Sequence, residues 1–472
     1  MLIQILKFNL KNLAAERSLY VVAAIFAALL GYGAWNGSAW VQHQRSTLES
    51  IRAEQEKRLA ALPDRMHRAA TDNLPSFQDP RMPGVVGGRE GVPYLTLPPR
   101  ETAALAIGQS DLYPYYLKAS TQSATNVLSA DEIENPDNLL FGRFDLAFVL
   151  VYLYPLLILA LSYNILSAER EQGTLALTMS QPVRLATVVF GKLASRGVIL
   201  VSLALLVAMV VMQTSGGRVW SAEFLLWTGV LIVYSAFWFA LAVVVNAAGK
   251  SSAANAVTVC ACWAALALIV PSALHMLAGA LYPVPSRVEM IQTMHEASKD
   301  AAARGSAVLA KYLEDHPELT SGGAKNAADA ASKALAVQQE TERLMAPVLA
   351  RFDQQLDGQR ALLNRLRFLS PAILAQGAMN DLAGSGTERF EHFRQQVNAF
   401  LITWRGHFAG FVLAKKMLTP SDVAALPRFV FEDESPSAPI GRILSALLGI
   451  LAPTMLLSFL GLTMVRRYRV QG

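Results

Sequence analysis

Six long apolar runs decide what this chain can be. About 20 helical residues are needed to cross some 30 Å of hydrocarbon. The runs lie at roughly 18–36, 145–166, 193–213, 222–247, 253–281 and 440–465. The chain has 472 residues, 53% of them hydrophobic and 16% charged, with a mean hydropathy of +0.33. That is too apolar for an ordinary soluble fold of this size. The spacing predicts an all-α membrane protein with six transmembrane helices. Two polar stretches, 41–143 and 282–439, interrupt them. Together these are long enough to fold as one large, mainly helical domain with its own core.

Charge gives the expected orientation. Residues 41–143 carry 11 Lys/Arg against 13 Asp/Glu, and 282–439 carry 17 against 18, so both are nearly neutral. The short connections are basic: Lys7, Lys11, Arg17, Arg170, Arg184, Lys192, Arg196, Lys250, Arg466, Arg467 and Arg469 face only Glu16, Glu169 and Glu171. In a six-span chain all of these lie on one side, which the positive-inside rule makes cytoplasmic. Both termini are then inside and the large domain is extracytoplasmic. The basic excess thus reads as topology, and nucleic-acid binding is not implied.

In order, the expected pieces are an interfacial elbow helix (1–17), span one (18–40), outer segment one (41–143) and span two (144–166). A charged cytoplasmic segment (167–192) leads to spans three (193–213), four (222–247) and five (253–281). Outer segment two (282–439), span six (440–465) and a cytoplasmic tail (466–472) complete the chain. Leu2, Ile3, Leu6, Leu10 and Leu13 share one helical face, with Lys7 and Lys11 opposite, as in a helix lying in the interface. Leu48, Ile51, Leu59 and Leu62 predict that span one continues outward as a helix and stops at Pro63. Prolines and glycines across 75–100 predict loops with short strands. Helices are expected over 286–315, 324–369 and 387–411, and Pro155 is expected to kink span two.

Catalytic chemistry is not legible. Gly249-Lys250-Ser251 invites a phosphate-loop reading, but the glycine a Walker A motif needs five residues earlier is Val244. His295-Glu296 lacks the second histidine of a zinc protease, since position 299 is Lys299. Cys260 and Cys262 lie about 200° apart around a helix. With His275 and Met276 they could sketch a copper path, but core residues of a span are the commoner case. The expectation is a chain with no active site, cofactor or metal of its own.

One stretch points further. Glu169-Arg-Glu-Gln-Gly-Thr-Leu175, then Ser180-Gln-Pro-Val-Arg184 and Gly191-Lys192, resembles the signature of ABC-2 type transporter permeases. The wider chain resembles the subfamily with the DUF3526 domain. The stretches that carry this are Gly108-Gln-Ser-Asp-Leu-Tyr-Pro114, Leu140-Phe-Gly-Arg-Phe-Asp-Leu-Ala-Phe148, Phe368-Leu-Ser-Pro-Ala372, Asp381-Leu-Ala-Gly384 and Arg389-Phe390. The permease of nitrous-oxide reductase maturation is similar at a greater distance.

The resemblance implies that this segment couples to a separate cytoplasmic ATPase dimer, which would hold ATP and Mg. The coupling residues would be Glu169, Arg170, Glu171, Gly173, Thr174, Leu175 and Arg184, the charges pairing with an ATPase groove and Thr174 capping a helix. Tyr152, Tyr154, Tyr163, Asn164, Tyr234 and Asn246 are polar positions within spans, candidates for a translocation path or for hydrogen bonds between helices. The implied partners are that ATPase, a second permease chain (the same or related), membrane lipid and a periplasmic partner. Export of a substrate, mechanical transmission to the periplasmic partner, and a membrane-anchored sensor or scaffold remain as functions.

Overall fold

The computed structural model describes residues 17–72, 75, 78–121, 144–315, 330–414 and 416–468. The elbow helix expected at 2–14 and the end of the tail lie outside these residues. Six helices are long and apolar enough to cross a membrane. The first is part of α1 (Arg17–Thr71), which runs on through Pro63. A two-stranded antiparallel sheet follows, β1 (Tyr94–Thr96) with β2 (Tyr116–Lys118), in the loop-rich region. The second span is α2 (Leu146–Glu171), followed by a short helix, α3 (Thr174–Met179). Spans three to five are α4 (Leu185–Thr214), α5 (Ala222–Ala247) and α6 (Ser252–Leu281). Then come α7 (Arg287–Ala303), α8 (Gly305–Asp315), α9 (Ala330–Leu366), α10 (Pro371–Ala383) and α11 (Thr387–Leu413). The sixth span is α12 (Ser437–Arg466).

Pro63 was expected to end α1, and it does not. An interior proline costs a helix about 3 kcal/mol. On either side of it, Leu62, Met66 and Ala69 are buried on one stripe. Burying two such large side chains stabilises by about 1.5–3 kcal/mol each, enough to carry the helix past the proline.

Those residues enter a core separate from the spans. On α11, Phe393, Val397, Leu401, Trp404 and Phe408 recur at helical spacing and are all buried. They pack with Leu62 and Met66 of α1, Val86, Leu95 of β1, Leu117 of β2 and Leu418. The two polar stretches therefore share one core. On the flank of α11 beside this stripe, α9 is held by spaced ion pairs: Arg360–Glu391, Arg394–Asp353 and Arg405–Glu342.

The bundle core is built mainly from α2 and α5, each more deeply buried than the other spans. Two proline-bearing spans open into a π turn just before the proline: Val149–Leu153 before Pro155 and Ala264–Ile269 before Pro271; α12 passes through Pro453 without one. The extra residue relieves the clash of the ring with the preceding turn. It also leaves carbonyls that other helices satisfy. Tyr234 of α5 donates its hydroxyl to the Val151 carbonyl at 2.7 Å, and Trp263 of α6 donates Nε1 to that of Tyr152 at 3.1 Å.

The stretch 282–439 was assigned wholly to the outer domain. The structure takes α10 out of it. Ala372, Leu374, Ala375, Ala378, Met379, Leu382 and Ala383 belong to the bundle core. Ser370, just before α10, donates Oγ to the Leu266 carbonyl in the α6 π turn at 2.6 Å. Any side chain on Gly449 of α12 would collide with Phe368 and Leu374. The chain thus returns into the bundle from the polar domain as a short helix and leaves again.

Candidate functional site

Two regions gather the motif residues. The first is the basic end of the bundle. Ser167–Glu171 forms the last turn of α2, and Gly173 at φ +71°, in the left-handed region, turns the chain into α3. Gly173 is the cap residue of α3; Thr174, expected there, is the first helical residue and donates its hydroxyl to the Glu169 carbonyl.

The three charges of this segment are engaged within the chain. Glu169 pairs with Lys192 of α4, whose ammonium also reaches the Ile165 carbonyl. Arg170 donates to the carbonyls of Gly249 and Lys250 and to the Tyr468 hydroxyl, at 3.1 Å. Glu171 accepts the Ser252 backbone N–H at 2.7 Å and lies 2.8 Å from its hydroxyl. Leu175 is buried with Ile165, Leu185, Val189, Leu193, Val243 and Val465. The segment is thereby fastened to α4, to the α5–α6 turn and to the end of α12. Its free face is α3 and the turn after it: Thr174, Ala176, Ser180, Gln181 and Arg184 are exposed, and Leu177 is 72% exposed.

The polar span residues lie between helices. Tyr154, Tyr234 and Asn246 are buried. Tyr154 bonds Ser235 of α5, and Asn246 donates to the Ser162 and Ala242 carbonyls and accepts from the Leu166 N–H. Asn246 thus secures the end of the span-two helix just before the charged segment. Tyr152, Tyr163 and Asn164 are partly buried.

The second region is the junction of bundle and polar domain. Asp145, 2% exposed, accepts the N–H groups of Phe148 at 2.6 Å, Ile107 at 2.7 Å and Gly108 at 3.3 Å. It caps span two and grips the Gly108–Pro114 turn with one carboxylate. That turn also bonds the start of α11: the Gln109 N–H reaches the Ser385 carbonyl, Thr387 bonds the Gln109 side chain at 2.6 Å, and Tyr113 stacks on Phe390 at 4.2 Å. Beside it, Asp433 bridges Arg100 and Arg389, and Arg442 of α12 bridges Asp381 and Glu434. Motif stretches nearly 300 residues apart in sequence thus meet at one place. Nothing in sequence reasoning singled out Asp433, Arg100 or Arg442, and Ser370 stood only as one letter of the Phe368–Ala372 stretch, with no role attached.

Asp433 makes the junction pH-dependent. Burial opposes its charge, but the Arg100 and Arg389 guanidiniums outweigh this and hold its carboxyl well below the usual carboxylate range. A depressed folded pKa means the stabilisation is present above the unfolded value, about 4, and is lost as pH falls through the folded one. Thermal melts of the wild type should therefore weaken progressively below about pH 4, and Asp433→Asn should remove part of that dependence. Parallel pH profiles for the two proteins would rule the bridge out as a contributor.

Residues 287–432 match the family described as a domain of unknown function, DUF3526. The match runs from α7 through α11 and contains α10; the charged segment lies outside it. Comparison with curated proteins and with solved structures found no match.

Proposed function

We propose that this chain is the transmembrane subunit of an ABC-type transporter. It would take up the motion of a separate cytoplasmic ATPase at α3 and carry it through the bundle to the polar domain. One observation carries the reading most: the charged segment is anchored to the ends of α4, α6 and α12 as well as α2. A push on α3 would move four spans together. A loop that served only to connect spans two and three would need no such anchoring. The likeness of 169–192 to ABC-2 permeases, stated above, supports the same assignment. The basic end would be cytoplasmic and the polar domain periplasmic.

The internal pairing of Glu169, Arg170 and Glu171 moves the proposed docking surface to the exposed face around Leu177. The partner would meet an apolar, neutral face, with Arg184 at its edge.

Mechanical transmission is favoured over a path through the spans of one chain. The buried Tyr154, Tyr234 and Asn246 side chains are bonded to neighbouring helices, and α10 ties α5, α6 and α12 to the domain outside. Export through a seam between two such chains remains the second reading.

The test is co-purification of the tagged chain from native membranes in mild detergent, with mass-spectrometric identification. An ATPase should accompany the wild type and fall at least about ten-fold with Leu177→Asp, since a carboxylate desolvated at an interface core costs well over 1.4 kcal/mol. Leu177 is exposed, so the variant should fold. Absence of an ATPase from the wild type in every detergent would return the chain to the sensor or scaffold class.

A further inference from the structure

The basic end of the bundle holds an open cavity of 370 Å³ beside the charged segment. Arg170, Arg467 and Tyr468 form its polar wall, and Ala247 and Met464 its apolar one. Three of the five N–H donors of Arg170 are taken, by two carbonyls and a hydroxyl, all neutral. No carboxylate among the described residues forms a salt bridge with it; Glu171 acts on it only through space and is bonded to Ser252. Arg467 is exposed and makes no ion pair or side-chain hydrogen bond among the described residues; Lys250 and Arg466, also exposed, make no ion pair there. Gly249, at φ +73°, closes the cavity where a side chain would meet Arg170. Two guanidiniums without a salt-bridge partner on one concave wall suit a phosphate, which they bind through directed N–H donors.

The apolar side says what kind of phosphate. From Met464 the wall continues onto the face of α12 where Leu460, Phe459 and Leu456 are exposed along the span. A compact anion with long apolar chains satisfies both surfaces. We propose that this cavity seats the headgroup of an anionic phospholipid from the leaflet on the basic side. Arg170 and Arg467 flank its phosphodiester and its acyl chains lie along α12. Basic pockets between spans at a cytoplasmic face are physically suited to such headgroups. Arg170 is also the residue that fastens the charged segment to the α5–α6 turn, so an occupied cavity stiffens that anchor. The site itself requires only that the six helices span a bilayer, and stands apart from the ATPase reading.

The experiment is native mass spectrometry of the full chain in neutral detergent. The probes are phosphatidylglycerol, phosphatidylcholine of the same chains, and inorganic phosphate in excess. Phosphatidylglycerol should be retained at collision energies that strip phosphatidylcholine. Arg467→Gln should lower its retention about five-fold, as the loss of one headgroup-facing cation does. Arg218→Gln, the same charge removed at the opposite end of the bundle, should leave it unchanged, and inorganic phosphate should not displace it. Equal retention of the two lipids, or equal losses in the two variants, overturns the site. Displacement by inorganic phosphate overturns the lipid assignment in favour of a soluble anion.

Discussion

Replacing Asp145 with Ala should prevent recovery of a folded, monodisperse protein. The carboxylate is nearly inaccessible and holds three backbone N–H groups from two parts of the chain. Without it three donors lose their acceptor, Ile107 buried and Gly108 and Phe148 partly buried, at up to about 1–3 kcal/mol each. The sum is comparable with the whole margin of a domain, about 5–15 kcal/mol. The surroundings cannot relax to compensate. Gly33 and Gly37 of α1 approach so closely that a Cβ at Gly33 would lie 2.8 Å from the Asp145 carbonyl, and one at Gly37 would overlap that of Ala104. Small residues four apart let a span pack backbone to backbone in this way. Asp145→Asn keeps an acceptor oxygen and should lose far less. Size-exclusion profiles and thermal melts of the two variants in detergent check this. A wild-type melting temperature for Asp145→Ala would show that the knot contributes little.

Much of this fold was legible because the bilayer imposes it. A run of about 20 apolar residues has few alternatives to a span. Leu48, Ile51 and Leu62 likewise announced the continuation of α1 past the span, and all three are buried. Pro63 misled because a local penalty was weighed without the tertiary burial beyond it. The α10 helix was missed for a different reason. Its 13 residues are too few for a span, and Gln376, Asn380 and Asp381 make them look soluble. Segments of this length in membrane proteins include re-entrant elements, which a span-length window overlooks.

The charged segment was found, but its inner attachments were not. Glu169 meets Lys192 across 23 positions, Arg170 meets Gly249 across 79 and Tyr468 across 298, and Glu171 meets Ser252 across 81. A sequence shows which residues carry charge; only the fold shows which charges are already paired.

Trp404→Ala should separate the two halves of the molecule. Trp404 is fully buried, donates Nε1 to the Gly87 carbonyl at 3.1 Å and packs on Phe408 at 4.9 Å. Truncating a buried Trp costs about 3–5 kcal/mol through lost contacts and the cavity left behind. The loss falls on the core shared by α11, α1 and the sheet, which has no members in common with the core of the spans. Hydrogen exchange should therefore rise in α11 and in 94–118 while α2 and α5 stay protected. If α2 and α5 open together with α11, the two cores behave as one and the separation fails. Where it holds, the variant also divides the functional readings. The charged segment and α3 lie at the far end of the bundle, so a bound ATPase should be retained. A complex that keeps its ATPase but no longer restores the phenotype of a deletion strain would place the output in the polar domain, as mechanical transmission requires. Full complementation by a loosened polar domain would place the output in the spans, because work delivered through α11 must pass through a rigid core.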